Sequence, residues 1–190
     1  MPIRKKLLAL LLAAVLVCTM SLTAFAREAP DTSRKGSIQL TIRQGGTAVP
    51  GGSFTLYQVG ALQEEDGNYR FVLTEAFAGS KVSLEEVSSA QLANTLAAYA
   101  KDHKLSGTAK DVDKDGEIAF TGLELGLYLL VQHKAAKGYE TAAPFLVSVP
   151  MEEDGVLRYD VDASPKVELE KEPEPTSTTP PAPTAVSYTH

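Results

Sequence analysis

The chain has 190 residues, a formal charge of −6, an apolar fraction of 44% and one cysteine. That is enough for one folded domain with an extension, and apolar enough for a sizeable core. Nucleic acids and anionic membrane surfaces select basic patches, so an acidic chain with no basic cluster in its body is a poor partner for either.

The first 26 residues stand apart. Arg4, Lys5 and Lys6 precede an apolar run from Leu7 to Val17, and Ala24 and Ala26 set an A-x-A pattern. This is the form of a secretory signal peptide cut between Ala26 and Arg27. The run is too short for a transmembrane span, which needs about 20 residues. Removing it takes away three basic residues and no acidic ones, so the formal charge moves from −6 to −9. Cys18 leaves with the peptide, since Val17 before it is not the small residue a lipoprotein site requires. The remaining chain has no cysteine and cannot be stapled by disulfides.

Residues 27–35 read as a short flexible lead. From Gly36, SIQLTIR alternates, with Ile38, Leu40 and Ile42 on one face and Gln39, Thr41 and Arg43 on the other, as in a half-buried strand. QGGTAVPGG is a turn-rich connection. SFTLYQVG is a second strand, EEDGN a turn and YRFVLT a third strand. The period then changes. Ser83 with Glu86 makes a capping box and Val82 with Val87 a hydrophobic staple, and Leu92, Leu96 and Tyr99 recur on one face. A helical insertion is predicted over about 83–105, with Ser88 and Gln91 as a possible second start. Lys101, His103 and Lys104 suit the carboxyl end of the dipole, and Gly107 suits a stop.

Strand signals return in KDVDKDGEIAF, which reads as a hairpin around Asp115-Gly116, and in GLYLLVQ, PFLVSVP and LRYDVDA, with MEEDG as another turn. Many short strands around one helical segment predict a mostly β fold, an antiparallel immunoglobulin-like or prealbumin-like β-sandwich with a helical insertion, over 36–168. Residues 169–190 are acidic and then rich in Pro and Thr, the composition of an extended, disordered stalk. The closing AVSYTH departs from that composition and reads as a non-native end of a truncated linker.

Few residues suggest chemistry. Asp111, Asp113, Asp115 and Gly116 match the first half of a calcium loop, but the position that needs a bidentate Glu is Gly122, and a turn explains the same residues. His103 is accounted for by the helix end, His133 follows Gln132 at a strand end, and His190 lies in the tail. No nucleophile motif and no histidine pair with metal spacing occurs. The chain therefore reads as a non-enzyme without cofactor. A hydrolase would need a concave pocket holding His133 with convergent carboxylates.

GSIQLTI, GGSFTLYQVG, GLELGLYLLVQHKAAKGYETAAPFLVSVP and YDVDASPKVE together resemble the SpaA-type pilin and Cna protein B-type domains of Gram-positive surface proteins. The helical insertion and PFLVSVP look most like the amino-terminal domain of pilin shaft subunits. The resemblance implies secretion, cell-wall attachment by sortase, other pilin-like subunits as partners, and a structural or adhesive role at the cell surface. Many such domains form an internal isopeptide bond, in which a first-strand lysine attacks a last-strand asparagine while a buried acid moves the protons. Burial lowers the lysine pKa and leaves a neutral amine, and the acid accepts and returns the proton. Aligned on this chain, the family's lysine falls at Ile42 and its acid at Gln132. Neither residue can act, so no internal Lys–Asn isopeptide is expected there. Asp160 and Asp162 are candidates for the third position. The family's intersubunit lysine falls at Lys166, with Ser164 in place of the motif's aromatic. The alternative function is a secreted module that binds carbohydrate or host protein, for which Tyr57, Tyr69 and Tyr139 are candidate contacts.

Overall fold

The computed structural model describes residues 28–164, 167 and 169–171. Twelve strands and two helices run in the order β1 (Gly36–Thr41), β2 (Arg43–Gln44), β3 (Thr47–Ala48), β4 (Ser53–Glu65), β5 (Asn68–Leu73), α1 (Glu75–Ala78), α2 (Ala90–Asp102), β6 (Thr108–Asp111), β7 (Glu117–Leu123), β8 (Gly126–Lys134), β9 (Phe145–Val149), β10 (Met151–Glu153), β11 (Val156–Arg158) and β12 (Asp160–Asp162) among the described residues. A three-stranded sheet, β12-β1-β7, faces a larger sheet, β5-β4-β8-β9, in which β6 also pairs with β4. Helices α1 and α2 cover the far side of the larger sheet, so the molecule has three layers.

Side-chain alternation decides which layer each residue serves. Ile38 and Leu40 of β1, Ile118 and Phe120 of β7 and Val161 of β12 meet Phe54, Leu56, Tyr128, Leu130, Val147 and Val149 of the larger sheet in one buried cluster. The opposite face of the larger sheet, through Tyr57, Val59, Leu127, Leu129 and Leu146, packs on Phe77, Ala93, Leu96 and Ala100. Strand β8 is central, and Gly126 through Leu130 are all buried. A strand covered on both faces loses its polar alternation, which is why GLYLLVQ reads as a continuous apolar run. Val59 is an extra residue between the pairs Gln58–Tyr128 and Gly60–Leu127, a bulge of the kind that re-aims side chains.

The helical layer starts later than the capping box suggests. The amino-terminal cap of α2 is Ser89, whose Oγ accepts from the Leu92 amide at 3.3 Å. Ser83 Oγ instead accepts from the Glu85 amide in a local turn. Asp, Ser and Thr side chains bond to nearby backbone equally well in turns and at helix starts, and here the turn wins. Tyr57, Phe77 and Tyr99 interlock, with ring centroids 6.3 and 5.9 Å apart, and the His103 ring stacks on Tyr99 at 4.0 Å. Gly107 does not stop the helix. A Cβ there would lie 2.6 Å from Thr55 Cγ2 and 2.7 Å from the Leu56 carbonyl, so the glycine permits close strand packing.

Three further differences come from tertiary pairing. β6 and β7 are not a hairpin: the turn at Asp113–Gly116 carries the chain from the larger sheet, where β6 pairs with β4, to the smaller, where β7 pairs with β1. The last strand runs parallel to the first, Ser37 opposite Asp160 and Gln39 opposite Asp162. Finally, both ends of the domain are tied down. The Asp31 amide donates to Tyr159 Oη at 2.7 Å, and the Arg34 guanidinium lies 3.9 Å over the Tyr159 ring, so the lead from Asp31 is docked rather than free. Beyond β12, Val167 and Leu169 pack on the sandwich core, and the Glu140 amide donates to the Glu170 carbonyl at 2.8 Å beside a Tyr139–Lys171 bridge. Contacts with the sandwich thus continue among the described residues as far as Lys171, three residues into the segment 169–190 expected to form the stalk. Residues 172–190 lie outside the described residues.

Candidate functional site

The site to be tested is the set of core positions where the resemblance places a cross-link. Ile42 follows β1 and is 3% exposed, inside the sandwich cluster. Its amide donates to the Gly116 carbonyl at 2.7 Å and its carbonyl accepts from the Val49 amide at 2.9 Å. Both neighbouring segments are therefore fixed against it, and its side chain is locked inward. Gln132 lies opposite Phe54 near the end of β8 and is 7% exposed. Its Oε1 accepts from the Ala142 amide at 2.6 Å, which ties β8 to the 135–144 connection. A Cβ on Gly52 would approach Gln132 Nε2 to 3.2 Å and the Lys134 carbonyl to 2.7 Å, so glycine leaves room for the amide.

The third position differs from the expectation. Asp160 and Asp162 are exposed on the outer face of the small sheet. Asp160 Oδ1 accepts from Ser37 Oγ at 2.7 Å, and Asp162 Oδ1 accepts from the Ser164 amide and hydroxyl at 2.9 and 2.5 Å. The residues of this strand end that face the core are Val161 and Ala163, at 0% and 1% exposure. Strand parity carries that signal: once Val161 is taken as inward, its neighbours must point out. Among the described residues the buried polar side chains are Thr55 and Gln132, with no buried amine or carboxylate. The core at these positions holds an alkyl chain, a carboxamide and two small apolar groups.

The remaining candidates separate in space. Asp113 Oδ1 accepts from the Asp115 and Glu117 amides at 2.9 and 2.8 Å, and Asp115 pairs with Lys114 at 2.5 Å. These carboxylates form a turn, and among the described residues no three His, Cys, Asp or Glu side chains are placed to hold a metal ion. His133 is exposed at the end of β8. Tyr57 is buried under the helices, and Tyr69 and Tyr139 are half-buried. Tyr128 is the most perturbed titratable group: burial first, and the Glu124 charge second, push its phenol up to about 12. Its hydroxyl donates to the Glu124 carbonyl at 2.7 Å, which is a structural role. Ala26, Arg27 and Lys166 lie outside the described residues.

The family model for Gram-positive pilin subunit D1, N-terminal domain, matches residues 24–167. The chain belongs to that family. Among solved structures it is similar to the full-length major pilin SpaD of Corynebacterium diphtheriae, at 27% identity and a TM-score of 0.49 over 75% of this chain and 32% of that one. It is also similar to the major pilin SpaA of the same organism, at 29% identity, a TM-score of 0.40, and 68% and 30% coverage. The T6 backbone pilin of serotype M6 Streptococcus pyogenes follows at 20% identity, a TM-score of 0.45, and 69% and 27% coverage. The chain spans about a third or less of these proteins' lengths. No curated protein sequence matches it. This D1-family chain is mostly β, and its family is one of structural pilus subunits.

Proposed function

We propose that the chain is an exported structural subunit of a Gram-positive pilus or pilus-like surface fibre. It is anchored through sortase in its full-length form, and its D1 domain holds by packing alone, without an internal Lys–Asn isopeptide. The observation that carries the reading is the core at Ile42, Gln132, Val161 and Ala163, buried in a domain of the pilin D1 family. An isopeptide needs a neutral buried amine, an acceptor carboxamide or acid, and a proton shuttle. Isoleucine supplies no nucleophile, and the Gln132 carboxamide is held by a backbone amide. Signal cleavage after Ala26 delivers the chain to the outside, and Lys166 is the candidate nucleophile for joining subunits. Incubation of the full-length protein with a pilin-class sortase is expected to give high-mass ladders that Lys166→Ala abolishes. Unchanged ladders in that variant would remove Lys166 from the proposal, and the failure of the parent to form any would count against polymerisation.

A further inference from the structure

Strand β7 is an outer strand of the small sheet, and among the described residues no strand lies on its other side. The pairing decides which backbone groups face that open side. The Gln39 carbonyl is turned away from β7, accepting from the Ala163 amide, so Ile38 and Leu40 face β7, opposite Phe120 and Ile118. Backbone groups of successive residues point to opposite edges of a strand, so Glu117, Ala119 and Thr121 turn theirs outward. Glu117 is closed off by the corner: its amide donates to Asp113 Oδ1 at 2.8 Å and its carbonyl accepts from the Asp113 amide at 3.0 Å. That leaves Ala119 and Thr121, within a stretch from Ile118 to Leu123 that holds no charge and no proline. Such a stretch on a free edge is a template for a further strand. The opposite edge of the same sheet, β12, is only three residues long and bears Asp160 and Asp162, features that resist pairing; β7 runs for seven residues and needs another protection.

One side chain crosses to this edge from the other sheet. Lys110 lies on β6 opposite Phe54, and opposite residues of a strand pair share a face. Phe54 faces the sandwich core, so Lys110 projects towards the small sheet. Its Nζ donates to the Ala119 carbonyl at 2.6 Å and stands 5.5 Å from the centre of the Phe120 ring, while the residue as a whole stays exposed. We infer that Lys110 is a latch on the edge of β7, which keeps a second copy of this chain from adding its own β7 there. The excluded occupant is the same edge because it is self-complementary. Antiparallel pairing about a two-fold axis through Ala119 sets Ala119 opposite its counterpart and Thr121 opposite Glu117 of the second copy. Paired strands lie about 4.8 Å apart, which leaves no room for a lysine head on each central carbonyl, and the two ammonium groups would meet at the axis as like charges. Association at this edge must therefore undo two latches, one from each copy. The inference stands independently of the export reading.

Sedimentation equilibrium of the purified chain and of Lys110→Ala reads the dimer dissociation constant. A hydrogen bond to a charged group weighs about tenfold in an equilibrium constant, and each dimer undoes two, so the constant is expected to fall about a hundredfold in the variant. The parent is expected to remain monomeric where the variant is mostly dimer. Lys110→Arg keeps a cationic donor and is expected to stay monomeric. Lys110→Met keeps the apolar stem over Phe120 and loses only the ammonium, so it is expected to associate as Lys110→Ala does, and it carries the same decision if alanine loosens the flank. Adding Thr121→Glu to Lys110→Ala sets like charges opposite each other in the proposed register and is expected to restore the monomer. Gln91→Glu, the same charge at an exposed position of α2, is expected to leave the dimer intact. Hydrogen exchange places the contact: in Lys110→Ala the Ala119 and Thr121 amides are expected to slow as concentration rises. Folded Lys110→Ala and Lys110→Met chains as monomeric as the parent would overturn the inference. So would a dimer indifferent to Thr121→Glu, or one that leaves exchange across 117–123 unchanged.

Discussion

Placing an amine in this core should be costly, because among the described residues no buried carboxylate is there to receive the charge. Ile42→Lys puts an ammonium at a position only 3% exposed, in a cluster of aliphatic and aromatic side chains. Its backbone bonds to Gly116 and Val49 do not depend on the side chain, so the strand is expected to keep its place and the cost falls on the amine. A free lysine titrates at about 10.4, and buried lysines are known with pKa values of about 5–6. At pH 7 the folded variant must hold the amine neutral, about 3.4 units below its free value, at about 1.4 kcal/mol per unit. That gives about 4–5 kcal/mol, reduced towards 3 where the flexible stem lets the head reach solvent. The folded pKa is lowered, so the penalty grows as pH falls below about 10.4 and nearly vanishes above it. Urea denaturation of parent and variant at pH 7 and pH 10 reads this directly. A variant within 1 kcal/mol of the parent at pH 7, or a pH-independent difference, would refute the reasoning. So would an intact mass lower by one ammonia, since the amine would then have met an acceptor.

Gln132→Leu keeps the volume but leaves the Ala142 amide without its 2.6 Å partner, and is expected to cost about 1–3 kcal/mol in chemical denaturation. Gly107→Ala forces a methyl against Thr55 Cγ2 and the Leu56 carbonyl; backbone cannot yield cheaply, so a loss of about 1–3 kcal/mol is expected. The phenol of Tyr128 is raised to about 12 in the folded state, whereas an unfolded tyrosine titrates at about 10. Its contribution is fully present below pH 10 and is lost as pH rises towards 12, and Tyr128→Phe should flatten that part of the alkaline denaturation curve.

Alternation made Ile38, Leu40 and Ile42 legible as inward residues, and it was correct for Gln132 as well. It was equally able to assign Val161 and Ala163 to the core, had the last strand been read by parity rather than by the chemical interest of Asp160 and Asp162. What local patterns cannot carry is pairing at a distance. The corner at Asp113–Gly116 has the composition of a hairpin turn, and only the competition between β4 and β1 for partners sends its two strands to different sheets. The partner of Gln132 is a backbone amide ten residues away in an irregular segment, with no sequence signature. The capping box at Ser83 failed because its serine closed a turn before the helix began. The docking of the lead on Tyr159 and of residues 169–171 beside Tyr139 depends on the finished surface of the sandwich, which no window of sequence contains.

On the proposed reading, the D1 head holds together with chemically inert groups at Ile42, Gln132, Val161 and Ala163, the positions where a covalent tie would sit. Intact mass spectrometry of the purified chain beginning at Arg27 measures it in one step. The expected result is the mass of the linear polypeptide. A mass short by one ammonia or one water, mapped by digestion to a peptide cross-linked within residues 28–171, would contradict it.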